Sequence, residues 1–208
     1  MIDRKELKAR AKVYAFNNKW TIWKPLLVVA GITFLFAFVA GLISGFINNK
    51  TITSILSLCA SLAALPLSIG ATKYIMETIH GKTIDLMEIL KSKYKLFVPI
   101  LILMVVSSIL IGLGFTLLVI PGIVLALRYA MIGYIAAESD DNMDAIEVMK
   151  KSATMMDGHK LEYFVLQLSF IGWLILCELT LGILAIWVMP YMTVTNIYYY
   201  EELKKQNN

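Results

Sequence analysis

The sequence predicts an all-α, polytopic helical membrane protein: six transmembrane helices arranged as three hairpins, each hairpin preceded by a cytoplasmic amphipathic helix. Three observations lead there. The chain has 208 residues, is 59% hydrophobic and only 16% charged, and has a mean hydropathy of +0.73; soluble domains run at roughly 45–50% apolar and about 25% charged. The apolar residues are gathered into runs long enough to cross a bilayer. The basic residues flank those runs and fall almost entirely on one side.

No polar segment is long enough to fold separately, so residues 1–208 are read as a single integral membrane domain. The net charge of +4 points to a membrane surface, with no nucleic-acid partner implied, because the cations sit at the ends of apolar runs. Cys59 and Cys177 lie in apolar runs without metal-ligand or disulfide spacing, and read as buried, inert thiols. The charged first 25 residues, followed by an apolar run too long for a leader, argue against a cleavable signal peptide.

Residues 1–25 carry Arg4, Lys5, Lys8, Arg10, Lys12, Lys19 and Lys24 against Asp3 and Glu6, with Leu7, Ala11 and Tyr14 at helical spacing. This is an interfacial amphipathic helix, and Trp20 and Trp23 follow where an aromatic belt is expected. Leu26 to Ile47 is the first span. Thr33, Ala37, Gly41 and Gly45 recur every four residues on it, a small-residue stripe that lets a second helix approach closely, from this chain or from another copy. After the turn Asn48-Asn49-Lys50, Ile52 to Met76 is the second span, kinked by Pro66. Ile84 to Lys95 forms a second amphipathic helix with Met87, Leu90 and Tyr94 on one side. Phe97 to Ala137 is one apolar run of 41 residues interrupted only by Arg128, too long for one span. It must break among Gly112, Gly114 and Pro121-Gly122, with Pro121 starting the fourth span. The segment 138–160 is charged and amphipathic. Leu161 to Glu178 is the fifth span, Thr180 and Gly182 the turn, and Leu181 to Tyr200 the sixth, kinked at Pro190 and closed by an exit belt of Tyr198, Tyr199 and Tyr200.

Six spans put both termini on one side. That side receives every basic residue except Lys50 and the intramembrane Arg128. By the positive-inside rule both termini are cytoplasmic and the protein is multi-pass in the plasma membrane.

A repeat underlies the pattern. Ile2-Asp3-x-x-Glu6, Ile84-Asp85-x-x-Glu88 and Met143-Asp144-x-x-Glu147 each open an amphipathic segment. In each following pair of spans the second has a proline with a tyrosine eight residues on: Pro66 and Tyr74, Pro121 and Tyr129, Pro190 and Tyr198. The units are 1–76, 82–138 and 142–200. The alternative is that Asp-x-x-Glu only marks ordinary helix starts.

Arg128, Tyr129 and Lys73 are the candidate functional residues. Counted back from Glu138 along a straight helix, Arg128 lies about 15 Å deep. It either meets an anionic headgroup, a substrate or a carboxylate, or snorkels to the surface on its long stem. Glu178 sits at the outer end of the fifth span and reads as facing external water. His80 and His159 lie in cytoplasmic loops without ligand-spaced partners and read as surface residues. No phosphate-binding loop, zinc motif or nucleophile elbow occurs. No catalytic, cofactor or metal site is therefore expected, and the chain is not read as an enzyme.

Ile120-Pro121-Gly122, Leu127-Arg128-Tyr129, Met155-Met156-x-Gly158-His159-Lys160, Leu168-Ser169-Phe170-Ile171-Gly172-Trp173, Thr180-Leu181-Gly182-Ile183 and Trp187-Val188-x-Pro190-Tyr191, with Arg4-Lys5-Glu6-Leu7-Lys8 at the start, resemble an uncharacterised family of bacterial integral membrane proteins, domain of unknown function 975. The resemblance runs over nearly the whole chain and is most specific in its C-terminal part. It implies a bacterial plasma-membrane protein and brings no activity with it. Ala145 to Lys160 looks, more distantly, like the linker of membrane domains attached to glycerophosphodiester phosphodiesterases. Their catalytic barrel has no counterpart here, so no hydrolase activity is implied. The reading is a non-enzymatic module that binds lipid, anionic headgroups, a membrane-protein partner or its own copies, in envelope stress, peptide self-protection or support of an exporter. The alternative is a small transporter or channel with Arg128 on its pathway.

Overall fold

Outside short turns and helix caps, every described residue is helical. The structure is a computed structural model described over residues 2–47, 50–139 and 143–207; the side chains of 44–47, 50, 52, 53, 56, 57, 59, 60 and 63, Cys59 among them, lie outside that description. In order the helices are α1 (Arg4–Asn17), α2 (Lys19–Ile47), α3 (Lys50–Ile79), α4 (Leu86–Lys95), α5 (Phe97–Leu117), α6 (Val119–Arg128), α7 (Ile132–Glu138), α8 (Ala145–Met155), α9 (Lys160–Leu168), α10 (Ile171–Leu179) and α11 (Ala185–Asn207).

Three of these start with the same chemistry. Asp3, Asp85 and Asp144 stand in extended backbone just before α1, α4 and α8, and each carboxylate accepts from the N–H two residues on: Lys5 at 2.9 Å, Met87 at 3.0 Å and Ile146 at 2.9 Å. Each bond satisfies one of the donors a helix start leaves unpaired. Ile2, Ile84 and Met143 before the caps and Leu7, Ile89 and Val148 five residues on occupy the positions of a hydrophobic staple, and all but the half-buried Ile84 are buried.

These amphipathic helices do not pack mainly on their own hairpins. α4 packs on α3, α8 on α5 and α7, and α1 on α11. α4 and α8 each lean on helices that precede them, and α1 leans on α11, the last helix, so the packing closes on itself. Local detail follows the same order. A Cβ at Gly70 of α3 would stand 2.9 Å from the Leu90 side chain of α4. Between α6 and α7, where the helix breaks, the wholly buried Ser152 of α8 donates to the Arg128 carbonyl at 3.0 Å and accepts from the Met131 N–H at 3.3 Å. At the break between α9 and α10, Lys8 of α1 donates to Ser169 Oγ at 2.8 Å.

The buried core runs through α1, the second half of α3, the start of α5, α7, α8, α9 and α11, with a smaller cluster where α4 meets α3. The other stretches carry large apolar side chains on the outside, among them Phe34, Phe38, Leu58, Leu117, Ile120 and Leu179. A band of that size and composition is what hydrocarbon covers.

Several sequence expectations need correction. Four described stretches are long and apolar enough to cross a membrane: Lys19–Ile43, Phe97–Leu117, Val119–Glu138 and Lys160–Leu179. The expected second span lies in α3, part of which is outside the described side chains. The expected sixth lies in α11, which is less apolar because Thr193, Thr195, Asn196 and four tyrosines sit on it; neighbouring helices bury much of that surface. The exit belt is therefore not one: Tyr199 and Tyr200 are fully buried and Tyr198 half-buried. On α4 the buried face is Leu86, Ile89, Leu90 and Lys93, while Met87 and Tyr94 are exposed. The long apolar run breaks at Leu118 (φ −164°, ψ 153°), three residues before the expected start at Pro121, and Pro121 sits at the third position of α6, still within the first turn where its missing N–H costs nothing. Gly112 and Gly114 do not break a helix; both lie within α5. A Cβ on Gly114 would come within 3.0 Å of the Gly122 backbone, and one on Gly122 within 2.4 Å of the Phe115 ring, so this pair lets α5 and α6 touch. Pro66 and Pro190 lie inside continuous helices, as does Pro25. The turn at Thr180 and Gly182 is present, with Leu181 (φ 50°) and Gly182 (φ 84°) both left-handed. Asn48 and Asn49 lie outside the described residues.

Candidate functional site

The C-terminal ends of α3, α7 and α11 converge, and they bring charge with them. Glu138, the last residue of α7, accepts from Tyr200 Oη at 2.9 Å and from Lys204 Nζ at 2.7 Å. Beside it, Lys73, Met76, Glu77, His80 and Lys82 complete the lining of a polar vestibule of about 490 Å³. Glu77 and Lys82 pair at 2.6 Å. His80 Nδ1 stands 2.8 Å from the Met76 carbonyl; a carbonyl only accepts, so Nδ1 carries the proton. Nε2 then faces Glu201 Oε1 at 3.3 Å, an ion-pair distance without hydrogen-bond geometry. Burial pushes the Glu201 carboxyl above its usual range, while His80 and Lys205 pull the other way.

Deeper in the bundle, α2, α3, α7, α10 and α11 surround a cavity of about 860 Å³. Most of its wall is aliphatic. Ser68, Thr72, Thr193 and Asn196 supply hydroxyls and an amide, and Cys177 and Glu178 line it from α10. Gln167 Nε2 holds Asn196 Oδ1 at 2.8 Å, which leaves the Asn196 amide nitrogen to face elsewhere. Two tyrosines connect cavity and vestibule. Tyr134 lines the cavity and stacks on Tyr200 with ring centres 5.4 Å apart, and Tyr200 in turn holds Glu138 of the vestibule.

Outside this site, among the described residues, one cation is buried. Lys93 of α4 is 1% exposed and donates to the carbonyls of Ala136 (3.0 Å) and Ser139, at the C-terminal end of α7. A cation there satisfies carbonyls that the helix itself leaves unpaired and complements the negative end of its dipole.

The structure brings only one of the three expected functional residues to this site. Lys73 lines the vestibule. Tyr129 is half-buried against the core at the α6–α7 break. Arg128 is exposed, close enough to Asp157 for its charge to help lower that carboxyl, after the larger effect of Lys160 at 3.1 Å. The straight helix assumed for its depth does not exist, because the chain turns at Tyr129–Met131. Ala37 and Gly41 are exposed, with nothing within 4 Å of a Cβ on Gly41; the surroundings of Gly45 lie outside the described residues. Glu178 is exposed at the cavity rim and Cys177 half-buried beside it. His80 is exposed, whereas His159 is half-buried against Glu162 at 3.3 Å.

The sequence pattern does not mark Tyr134, Glu138 or Lys93 as functional, and it marks Tyr200 only as part of a belt. One signal existed for Glu138: it is where an apolar run of 41 residues first meets an acid. The tyrosines carried no signal, since an aromatic at a span end reads as a belt whichever way it points.

No curated protein and no solved structure matches the chain, and the likeness of Ala145–Lys160 to phosphodiesterase-linked membrane domains finds no support. A family match does exist, and it covers less than the resemblance suggested, leaving Arg4–Lys8 outside it. Residues 115–207, from the end of α5 to the end of α11, match the model of the family described as "Protein of unknown function (DUF975)".

Proposed function

We propose that the chain is a multi-pass, non-enzymatic protein of the bacterial plasma membrane, with six spans in three hairpins and both termini cytoplasmic, that binds an amphiphile between its helices. The observation that carries this is the cavity of about 860 Å³. Its size lies within the range of small-molecule sites, roughly 300–1,000 Å³, and its lining has their character, apolar with a few polar groups. An aliphatic wall suits a hydrocarbon chain, and the Ser68, Thr72, Thr193 and Asn196 groups suit a polar head. Loop charge supports the orientation, since the vestibule lysines lie on the side the positive-inside rule assigns to the cytoplasm.

The test is native mass spectrometry of the protein released from mild detergent. The expected result is a retained amphiphile of defined mass, lost in Ala185→Trp, which fills the cavity from a half-buried position. Absence of any adduct from the unaltered protein, or an adduct unchanged by Ala185→Trp, overturns the reading.

Passage is the second reading, favoured by the stacked tyrosines between cavity and vestibule. Its route bypasses Arg128. Liposomes loaded with the amphiphile identified above would release it faster with Tyr134→Ala than with the unaltered protein, and no faster with Arg128→Ala. Equal release from Tyr134→Ala and unaltered protein removes this reading.

A further inference from the structure

A second groove, on the other face of α11, has different chemistry. Phe16, Trp173, Leu184, Trp187 and Tyr191 line a hollow of about 430 Å³ together with Lys12. Of the residues lining it, only Val188 is shared with the central cavity. Phe16, Trp173 and Trp187 are exposed, so the hollow opens outward.

Cations follow its edge in register. The buried stripe of α1 is Leu7, Ala11 and Ala15. One residue further round, Lys8, Lys12 and Phe16 form the neighbouring stripe at spacing four, and Lys19 opens α2 just beyond. Lys8 Nζ stands 4.6 Å over the Phe170 ring and Lys19 Nζ 5.8 Å over the Trp187 ring. Each aromatic face fixes an ammonium beside the groove. Among the described residues no carboxylate lines it. Partial burial lowers the Lys8 pKa from its usual value, a shift that an anion beside it would oppose. Trp23 closes the end of the seam by donating its indole N–H to the Ile186 carbonyl at 2.9 Å.

We propose that the seam between α1 and the α9–α11 hairpin binds an anionic phospholipid, with its phosphate on the Lys8–Lys12–Lys19 edge and one acyl chain in the aromatic groove. The charge of the edge selects an anionic head, and the open apolar hollow selects a chain. Tryptophan and tyrosine are enriched where membrane proteins meet lipid headgroups. The site is independent of the central cavity and stands or falls without it.

The tryptophans that line the groove report on it. The full chain is placed in phosphatidylcholine nanodiscs containing a small, equal fraction of either brominated phosphatidylglycerol or brominated phosphatidylcholine, and quenching of tryptophan emission is compared. The expected result is stronger quenching by the phosphatidylglycerol, a difference that disappears in W173F/W187F. At low salt, Lys12→Gln alone lowers the preference by about fivefold, and K8Q/K12Q/K19Q lowers it further. K91Q/K95Q/K150Q removes the same charge from exposed positions on α4 and α8 and leaves the preference in place. Equal quenching by the two lipids overturns the proposal. So does a preference untouched by Lys12→Gln and the triple variant, or one lost equally in the α4 and α8 control, which would assign it to overall surface charge.

Discussion

The two ends of α5 are built from the same residues and do different work. At its start Ile100 and Leu103 are wholly buried where α5 meets α3 and α8; at its finish Leu117 is 78% exposed. The same contrast holds between α11 and α2, one lined by buried tyrosines and the other apolar on almost every exposed side. Burial here is therefore a property of where a helix meets its neighbours, and hydrophobicity alone does not distinguish protein interior from lipid surface. In the packed region each side chain is fixed by specific partners; on the outer stretches the solvent needs only hydrocarbon.

Leucine replacements on α5 test that contrast most severely. Leu103→Ala should cost about 2–5 kcal/mol as an interior cavity, whereas Leu117→Ala should stay within about 0.5 kcal/mol, read as unfolding midpoints in detergent. Equal losses would erase the distinction. Next in size is Lys93→Ala, which strips the partner from two carbonyls at the end of α7 and should cost about 1–3 kcal/mol by the same measurement. Glycine replacements sharpen the comparison from another side. Gly122→Ala drives a methyl into the Phe115 ring and should destabilise by about 1–3 kcal/mol. Gly41→Ala meets open space and should stabilise the monomer by up to about 1 kcal/mol through helix propensity. A loss at Gly41, accompanied by a fall in cross-linked dimer, would mean that a second copy covers that stripe.

The smallest effect concerns pH. Burial raises the Glu201 carboxyl above its ordinary value of 4.5, so the folded state holds its proton more tightly than the unfolded chain. The associated stability is fully present below the unfolded value and is lost as pH rises through the higher folded one. Glu201→Gln should flatten the melting profile over that window, and an unchanged slope would count against the assignment.

Much of this was legible in the chain. Apolar runs located the helices because their lengths match a bilayer, and Asp3, Asp85 and Asp144 announced helix starts because a short acid before an apolar run has one useful partner, the N–H groups ahead of it. The candidate site was less legible. The depth of Arg128 rests on one straight helix, and a three-residue turn at Tyr129–Met131 interrupts that helix and leaves the side chain exposed. Lys93 was hidden by a shift of one position: a helix lying between protein core and lipid is apolar on two faces, so Met87 and Tyr94 matched the pattern as well as Leu86 and Ile89 did. Tyr134 and Tyr200 meet across 66 residues of chain, a pairing that periodicity along a helix has no means to express.

The closure of α1 onto α11 has a consequence for synthesis. The backbone N–H of Ile2 reaches Glu162 at 2.9 Å, Lys8 reaches Ser169, and Trp23 reaches Ile186. These partners of α1 exist only when the helices that follow α8 have been made. Until then the Leu7–Ala11–Ala15 face lacks α11, the helix it packs on most extensively. A chain halted before α11 would insert its earlier spans and still be unfinished at its beginning, which makes the C-terminal helix the step that completes the N-terminal one.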